Sequence, residues 1–327
     1  MAAIVVPNLE HALQALLAQI PAGRVATCGG LADALGNKIA ARWVGHYLLH
    51  HRHDNACPCH RVVRAGGELG GYIGGVESKE RLLKEESVEL AAGRIDLERF
   101  QVQTLASDRP LERLARLQDE LATRVSLSPT ADAPEVVAGI DVSYAAETAT
   151  AAYCLVERST GKLLWSHVVH RPAEFPYISS YLTFRELPSY LVLLEEVRAA
   201  GRLTPVVLVD GTGRLHPRKA GIASHLGVVA DLPTVGVTKK LLCGKVELRG
   251  IAIGESRPVV QDNETIGVAI RTGKSLRPIF VSPGHRMDLA TSEAIVRGVL
   301  RGRRLPEPLY HADRLSRLES RRRAVKL

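Results

Sequence analysis

The apolar residues of this chain change their period part way along, and that change decides how it can fold. Over residues 11–20, and again over about 39–50, they recur at helical spacing. Residues 29–36 fit a shorter helix closed by Gly36-Asn37, and 78–90 fit a further helix rich in Glu and Lys. Residues 91–106 carry no strong period. Beyond them one amphipathic helix has Leu111, Leu114, Leu117, Leu121 and Val125 on a single face, with Ser107 or Asp108 as its cap and Pro110 in its first turn. After a polar loop near 128–134, strand-like runs over 136–144, 151–156 and 162–170 have hairpin-length connections, and strand and helix patterns then alternate. Residues 206–209 and 234–237 read as short buried strands. With 327 residues to place, the pattern predicts a small helical domain over 1–96, a linker over 97–106 and an α/β domain with a mixed sheet over 107–327.

Composition narrows the function. No apolar run reaches membrane-spanning length and the start lacks a secretory pattern, so a cytoplasmic location is expected. Five cysteines in both halves make no disulfide framework. Residues 1–96 hold 10 basic and 10 acidic side chains, so the net charge of +8 comes wholly from the remainder. Residues 297–327 carry 10 basic against 3 acidic groups, a run that reads as a solvated arm or one that tracks phosphates.

Cys59 stands in Cys57-Pro58-Cys59-His60-Arg61-Val62-Val63. A thiol reacts as its thiolate, and a neighbouring imidazole or cation is the usual means of forming one, so Cys59 is a candidate for covalent chemistry. The same run lies near His46, His50, His51 and His53, and mixed Cys/His groups at short spacing also bind zinc. In the second domain Asp141 lies in one expected strand and Asp210 ends another, which suits carboxylates converging on a metal ion.

The Pro58-Cys59-His60-Arg61-Val62 run, with Ala41-Arg42-Trp43-Val44-Gly45, Gly70-Gly71-Tyr72, Lys79, Leu82-Leu83 and Glu86, resembles the O6-alkylguanine-DNA alkyltransferases over roughly residues 10–90. That resemblance implies a helix-turn-helix, winged-helix-like domain. Cys59 would be the alkyl acceptor, His60 its base through a water, and Glu86 the group that orients His60. Tyr72 would donate towards the guanine O6 region, and Arg42 would fill the space left by a flipped nucleotide. No cofactor is implied for this step. Cys28 stands where the family usually has Tyr, and His51 where it has Asn; the start lies too near the motif to hold the family's usual N-terminal domain.

A second set of motifs comprises Gly139-Ile140-Asp141-Val142-Ser143-Tyr144, Pro176-Tyr177-Ile178, Phe184-Arg185-Glu186, residues 210–218, Lys239 and Ser282-Pro283-Gly284-His285-Arg286. It resembles endonuclease V and implies a ribonuclease H-like fold. Asp141, Glu186 and Asp210 would hold Mg2+ or Mn2+, with Lys239 near the scissile phosphate and His285 beside the metal. His216 would contact substrate, and Tyr177 would act as a wedge stacked into the duplex. Ser179-Ser180 replaces the Pro-Gly that normally follows the wedge. The two resemblances imply a bifunctional repair protein acting on double-stranded DNA with O6-alkylguanine or deoxyinosine, nicking on the 3′ side of the latter. The alternatives are a lesion-binding module without alkyl transfer that recruits the nuclease, and a zinc-regulated module that controls the nuclease.

Overall fold

The computed structural model describes residues 6–53, 57–129 and 134–324, so most of the loop expected over 128–134 lies outside the described residues. The chain divides into two compact units. Of the described residues, the first comprises those up to Arg116 together with Phe175–Tyr181; the second comprises Leu117–Glu174 and those from Leu182 onward.

In the first unit α1 (Leu9–Leu17) starts where the Asn8 side chain accepts from the His11 N–H, and it buries Leu9, Leu13, Leu16 and Leu17 along one face. Strand β1 (Ala26–Thr27) runs into α2 (Cys28–Ala34), which the Thr27 hydroxyl caps by accepting from the Gly30 N–H at 2.9 Å. A turn at Gly36 and a 3-10 turn over Lys38–Ala40 lead to α3 (Ala41–His50). Only glycine fits at residue 36: its φ is +104°, and a Cβ there would lie 2.6 Å from the Glu112 nitrogen. A second 3-10 turn, Pro58–Arg61, precedes β2 (Val62–Val63), which pairs in parallel with β1.

Helix α4 (Val76–Glu85) ends five residues before the expected position. Ser87 adopts a left-handed φ of 62°, and the N–H groups of Ser87 and Val88 close the helix on the carbonyls of Lys84 and Leu83, both at 2.9 Å. The chain then forms the short hairpin β3 (Leu90–Ala91) and β4 (Arg94–Ile95), followed by α5 (Leu97–Phe100). Phe100, inside the expected linker, packs with Val25, Val63, Leu69, Leu83, Val88 and Ile95. Helix α6 spans Pro110–Ala122.

The second unit is built on a mixed eight-stranded sheet. Its strands are β5 (Val136–Ala145), β6 (Thr148–Glu157), β7 (Leu163–Pro172), β8 (Val207–Asp210), β9 (Thr234–Thr238), β10 (Ser256–Gln261), β11 (Glu264–Ile270) and β12 (Ile279–His285). They lie in the order β10-β11-β12-β9-β8-β5-β6-β7, with β8 parallel to both neighbours and the other pairs antiparallel. Helices α7 (Leu182–Ala199) and α8 (Ile222–Ala230) cover one face, and α9 (Leu289–Gly298) and α10 (Glu307–Ala324) the other.

Side chains alternate between the faces, as strand geometry requires. Ala138, Ile140, Val207 and Val209 pack towards α7 and α8, whereas Val137, Val206 and Leu208 pack towards α9 and α10. Asp141 and Asp210 continue the second series, on the strands paired through Ile140 and Val209, so both carboxylates reach the same side of the sheet.

The basic run over 297–327 is not a solvated arm. Most of it forms α10, whose Leu309, Ala312, Ser316 and Ser320 are buried at helical spacing against the sheet while the arginines of its last turn point outward. Gly139 permits this approach: a Cβ there would lie 2.4 Å from the Pro308 carbonyl carbon.

Candidate active sites

In the first unit Cys59 is buried in the 3-10 turn that feeds β2, where Pro58 presets the turn's backbone. His60 Nε2 lies 2.9 Å from Glu86 Oε1. Arg61 grips the same carboxylate, its Nε 3.0 and 2.9 Å from the two oxygens, and donates to the Ile20 carbonyl at 2.6 Å. Burial works to raise the Glu86 pKa, but the hydrogen bonds from Arg61 and His60 outweigh it and hold the carboxyl below its ordinary range.

His53 Nδ1 lies 3.4 Å from Cys59 Sγ, and its Nε2 lies 3.4 Å from the Tyr72 hydroxyl. His51 Nε2 lies 3.3 Å from Cys57 Sγ. One donor atom from each of His51, His53, Cys57 and Cys59 falls within 4.8 Å of the others, whereas His46 and His50 stack on each other outside this group. Burial, and then Cys57, push the Cys59 thiol up to about 12, so a base must take its proton before it can react. Lys79 is buried, donates to the carbonyls of Val62, Leu69 and Gly71, and opposes that rise through its charge; burial brings its own pKa down to about 8. Arg42 is exposed on the first turn of α3, and Tyr177 is 67% exposed within Phe175–Tyr181. Tyr181 fixes that segment: Asn37 Nδ2 donates to its hydroxyl at 2.9 Å, and the hydroxyl donates to the Leu111 carbonyl at 3.1 Å.

In the second unit Asp141, Asp210 and Asp313 each offer an oxygen within 4.8 Å of the others, a group that could hold a metal ion. Asp313 comes from α10. Its presence is the main feature missed at the sequence level, and the signal was there: it lies on the helix face marked by Leu309, Ala312 and Ser316. Ser316 Oγ donates to Asp141 Oδ2 at 2.7 Å, and Lys239 Nζ bridges Asp210 at 2.8 Å and Asp313 at 3.1 Å. Arg317 pairs with Asp313 at 2.9 Å. Burial, and then Asp210, push Asp141 up to about 7; burial also raises Asp210 against the pull of Lys239.

Glu186 on α7 is buried, and its pKa is pushed up by burial and then by Asp141 and Asp210. Its Oε2 has no hydrogen-bond partner among the described residues. Buried carboxylates held at such cost, one with an orphaned oxygen, fit a cation site. The structure gives His285 a different setting from the expected one beside the metal. Its Nδ1 accepts from the Ser126 N–H at 3.2 Å, and its Nε2 lies 4.0 Å from Asp231, because it ends β12 and not a strand that carries one of the aspartates. His216 is buried, its Nδ1 accepting from the Arg218 N–H at 3.2 Å.

A mixed sheet that brings aspartates from two parallel strands and a helix to one point is the framework of a metal-dependent nuclease. The chain belongs to the endonuclease V family, whose model matches residues 119–314, and the model of the 6-O-methylguanine DNA methyltransferase DNA-binding domain matches residues 8–88. It is similar to a bifunctional methyltransferase/endonuclease from Picrophilus torridus, 33% identical over 293 residues, which are 89% of this chain and 90% of that protein. Among solved structures, the catalytic domain of human endonuclease V is 32% identical with a TM-score of 0.61, covering 66% of this chain and 98% of that one. Ciona intestinalis endonuclease V, in complex with DNA containing an inosine followed by a ribo-adenosine, is 28% identical with a TM-score of 0.59, covering 66% of this chain and 99% of that one. Among the described residues, no helix is long and apolar enough to cross a membrane.

Proposed function

We propose that this protein repairs two lesions in double-stranded DNA, accepting alkyl groups from O6-alkylguanine on Cys59 and nicking the strand on the 3′ side of deoxyinosine. The observation that carries the proposal is that each unit holds its own reacting groups: Cys59 next to the His60–Glu86 pair, and the convergent Asp141, Asp210 and Asp313. The presence of the nucleophile argues against a first unit that only binds lesions.

In the alkyl-transfer step the Cys59 sulfur attacks the alkyl carbon, the bond from that carbon to O6 breaks, and the electron pair leaves with the guanine. His60, its charge supported by Glu86, takes the thiol proton through a water. Tyr72 donates towards O6 as the base leaves. Helices α2 and α3 would act as the helix-turn-helix that presents Arg42 to the duplex.

The second unit follows ribonuclease H-like logic. Asp141, Asp210, Asp313 and Glu186 would hold Mg2+, with Mn2+ as a substitute, and the ion when bound supplies an activated water and charge for the leaving oxygen. Lys239, paired with Asp210 and Asp313, would exchange these carboxylate partners for the scissile phosphate. Tyr177 would stack into the duplex where the deaminated base is extruded, and His216 would line the substrate side. His285 would act as a positioning residue through Ser126. Incubating the purified protein and Mg2+ with duplexes carrying either O6-methylguanine or deoxyinosine tests both halves, with protein alkylation and strand nicking followed together. Absence of methyl uptake would favour the lesion-binding alternative.

A further inference from the structure

The acceptor sulfur and the three donors around it form more than a pair of thiol hydrogen bonds. We propose that His51, His53, Cys57 and Cys59 constitute a Zn2+ site that encloses the alkyl acceptor, so that the first unit can hold Cys59 in a metal-capped form which does not react. The inference rests on the reading of Cys59 as the acceptor.

Three observations carry it. The donor set is two thiols and two imidazoles, the mixture that a borderline-soft ion prefers, and it excludes the oxygen-seeking ions suited to the aspartates of the second unit. Its geometry is already closed: all four donor atoms lie within 4.8 Å of one another, with sulfur-to-nitrogen distances of 3.3 Å (Cys57 to His51) and 3.4 Å (Cys59 to His53). Tetrahedral bonds of about 2.3 Å to sulfur and about 2.0 Å to nitrogen require a sulfur-to-nitrogen edge of about 3.5 Å, close to both of these distances. The outer contacts also suit coordination. With His53 Nδ1 turned to the ion, its Nε2–H donates to the Tyr72 hydroxyl 3.4 Å away, and His51 is stacked on Tyr47 with ring centroids 5.2 Å apart. Tyr72, expected to address the guanine oxygen, would thus be held by a ligand of the ion.

Binding balances simply. One Zn2+ displaces the protons of Cys57 and Cys59 to solvent, both sulfurs become ligand thiolates, the imidazoles bind neutral, and nothing is oxidised. While coordinated, the Cys59 lone pairs are committed to the ion. Once Cys59 is alkylated its thioether is a far poorer ligand, so the site loses affinity and the cap cannot re-form.

The test uses the full chain and Co2+ as the probe, because a sulfur-to-cobalt charge-transfer band arises only from thiolate ligands and ignores any ion on the aspartates. The expected result is a saturable band that weakens in Cys57→Ser, that binds Co2+ at least about tenfold less tightly in His53→Ala, and that collapses in unmutated protein methylated by O6-methylguanine DNA. Zn2+ should displace Co2+ and slow methyl uptake by at least about tenfold, while uptake by Cys57→Ser should be insensitive to Zn2+. Absence of the band at excess Co2+, or a band unchanged by both Cys57→Ser and methylation, overturns the proposal. The methylated protein carries no mutation, so misfolded variants cannot obscure the result. Failure to take up methyl in chelator-treated protein would instead remove the acceptor reading itself.

Discussion

The hydroxyl of Ser316, on the last long helix of the chain, donates a 2.7 Å hydrogen bond to the Oδ2 of Asp141 in strand β5 of the sheet. Ser316 also lies 3.1 Å from the Asp313 main-chain carbonyl of its own helix and meets the Ser143 hydroxyl at 2.7 Å, so one small side chain ties α10 to the strand that carries Asp141. Ser316→Ala should weaken Mg2+ binding and move the acid limb of the pH–rate profile upward, because this bond favours the ionised form of Asp141. A hydrogen bond to a charged group is worth about 1.5–3 kcal/mol, or roughly 10- to 150-fold in metal affinity. Isothermal titration with Mg2+ checks the affinity.

Asp313→Asn should cost more nicking activity than His285→Gln. The first removes a charge from the carboxylate group and should lower the rate by on the order of a hundredfold. The second alters a side chain that supports Ser126, for which a few-fold loss is expected. Single-turnover nicking of deoxyinosine duplexes separates the two, and the reverse order would restore His285 to the metal's side.

Stability of the metal-free protein should fall as pH rises. Asp141 is pushed up to about 7 and Glu186 well above its ordinary range, chiefly by burial. A carboxyl whose folded pKa is raised contributes stability that is fully present below its unfolded value of about 4 and is lost as pH rises through the folded value. Melting temperatures in chelator should therefore drop between about pH 4 and pH 8, Mg2+ should restore them most at the upper end, and Asp141→Asn should flatten the slope.

Gly139→Ala should impair nicking while leaving methyl uptake by the first unit intact. The added methyl would sit 2.4 Å from the Pro308 carbonyl carbon, so α10 must shift and carry Asp313 with it. Displacement by about 1 Å costs up to roughly a hundredfold in rate. Far-ultraviolet circular dichroism guards against global unfolding.

Tyr177→Ala should reduce nicking of duplex inosine substrates more than of single strands, since a wedge is needed only where stacking must be replaced. Base–aromatic stacking of about 1–3 kcal/mol corresponds to a loss of roughly ten- to a hundredfold. Equal losses on both substrates would place Tyr177 in the base pocket.

Residues that speak through short local patterns were legible. Pro58-Cys59-His60 fixes its own turn, and the alternation leading to Asp141 and Asp210 puts both on one side of two paired strands. Asp313 was hard to read, because the charges on the outer face of α10 mask an inner face that, after Leu309 in the first turn, is marked by the small buried residues Ala312, Ser316 and Ser320. The end of α4 was hidden for another reason: the sequence stays helix-compatible through Leu90, and the stop depends on Ser87 taking a left-handed conformation. The approach of His53 to Cys59 is a contact that spacing along the chain does not specify.

Cys59 is 3% exposed and stands in a unit whose core does not include the aspartates of the second. On the proposed chemistry its thioether is permanent, whereas the nuclease is returned unchanged after every cut. Each molecule therefore ages in one direction, from a two-lesion protein to a one-lesion protein. The fraction of a cell's supply that still carries a free thiol becomes a dosimeter of past alkylation, read without any loss of the capacity to answer deamination.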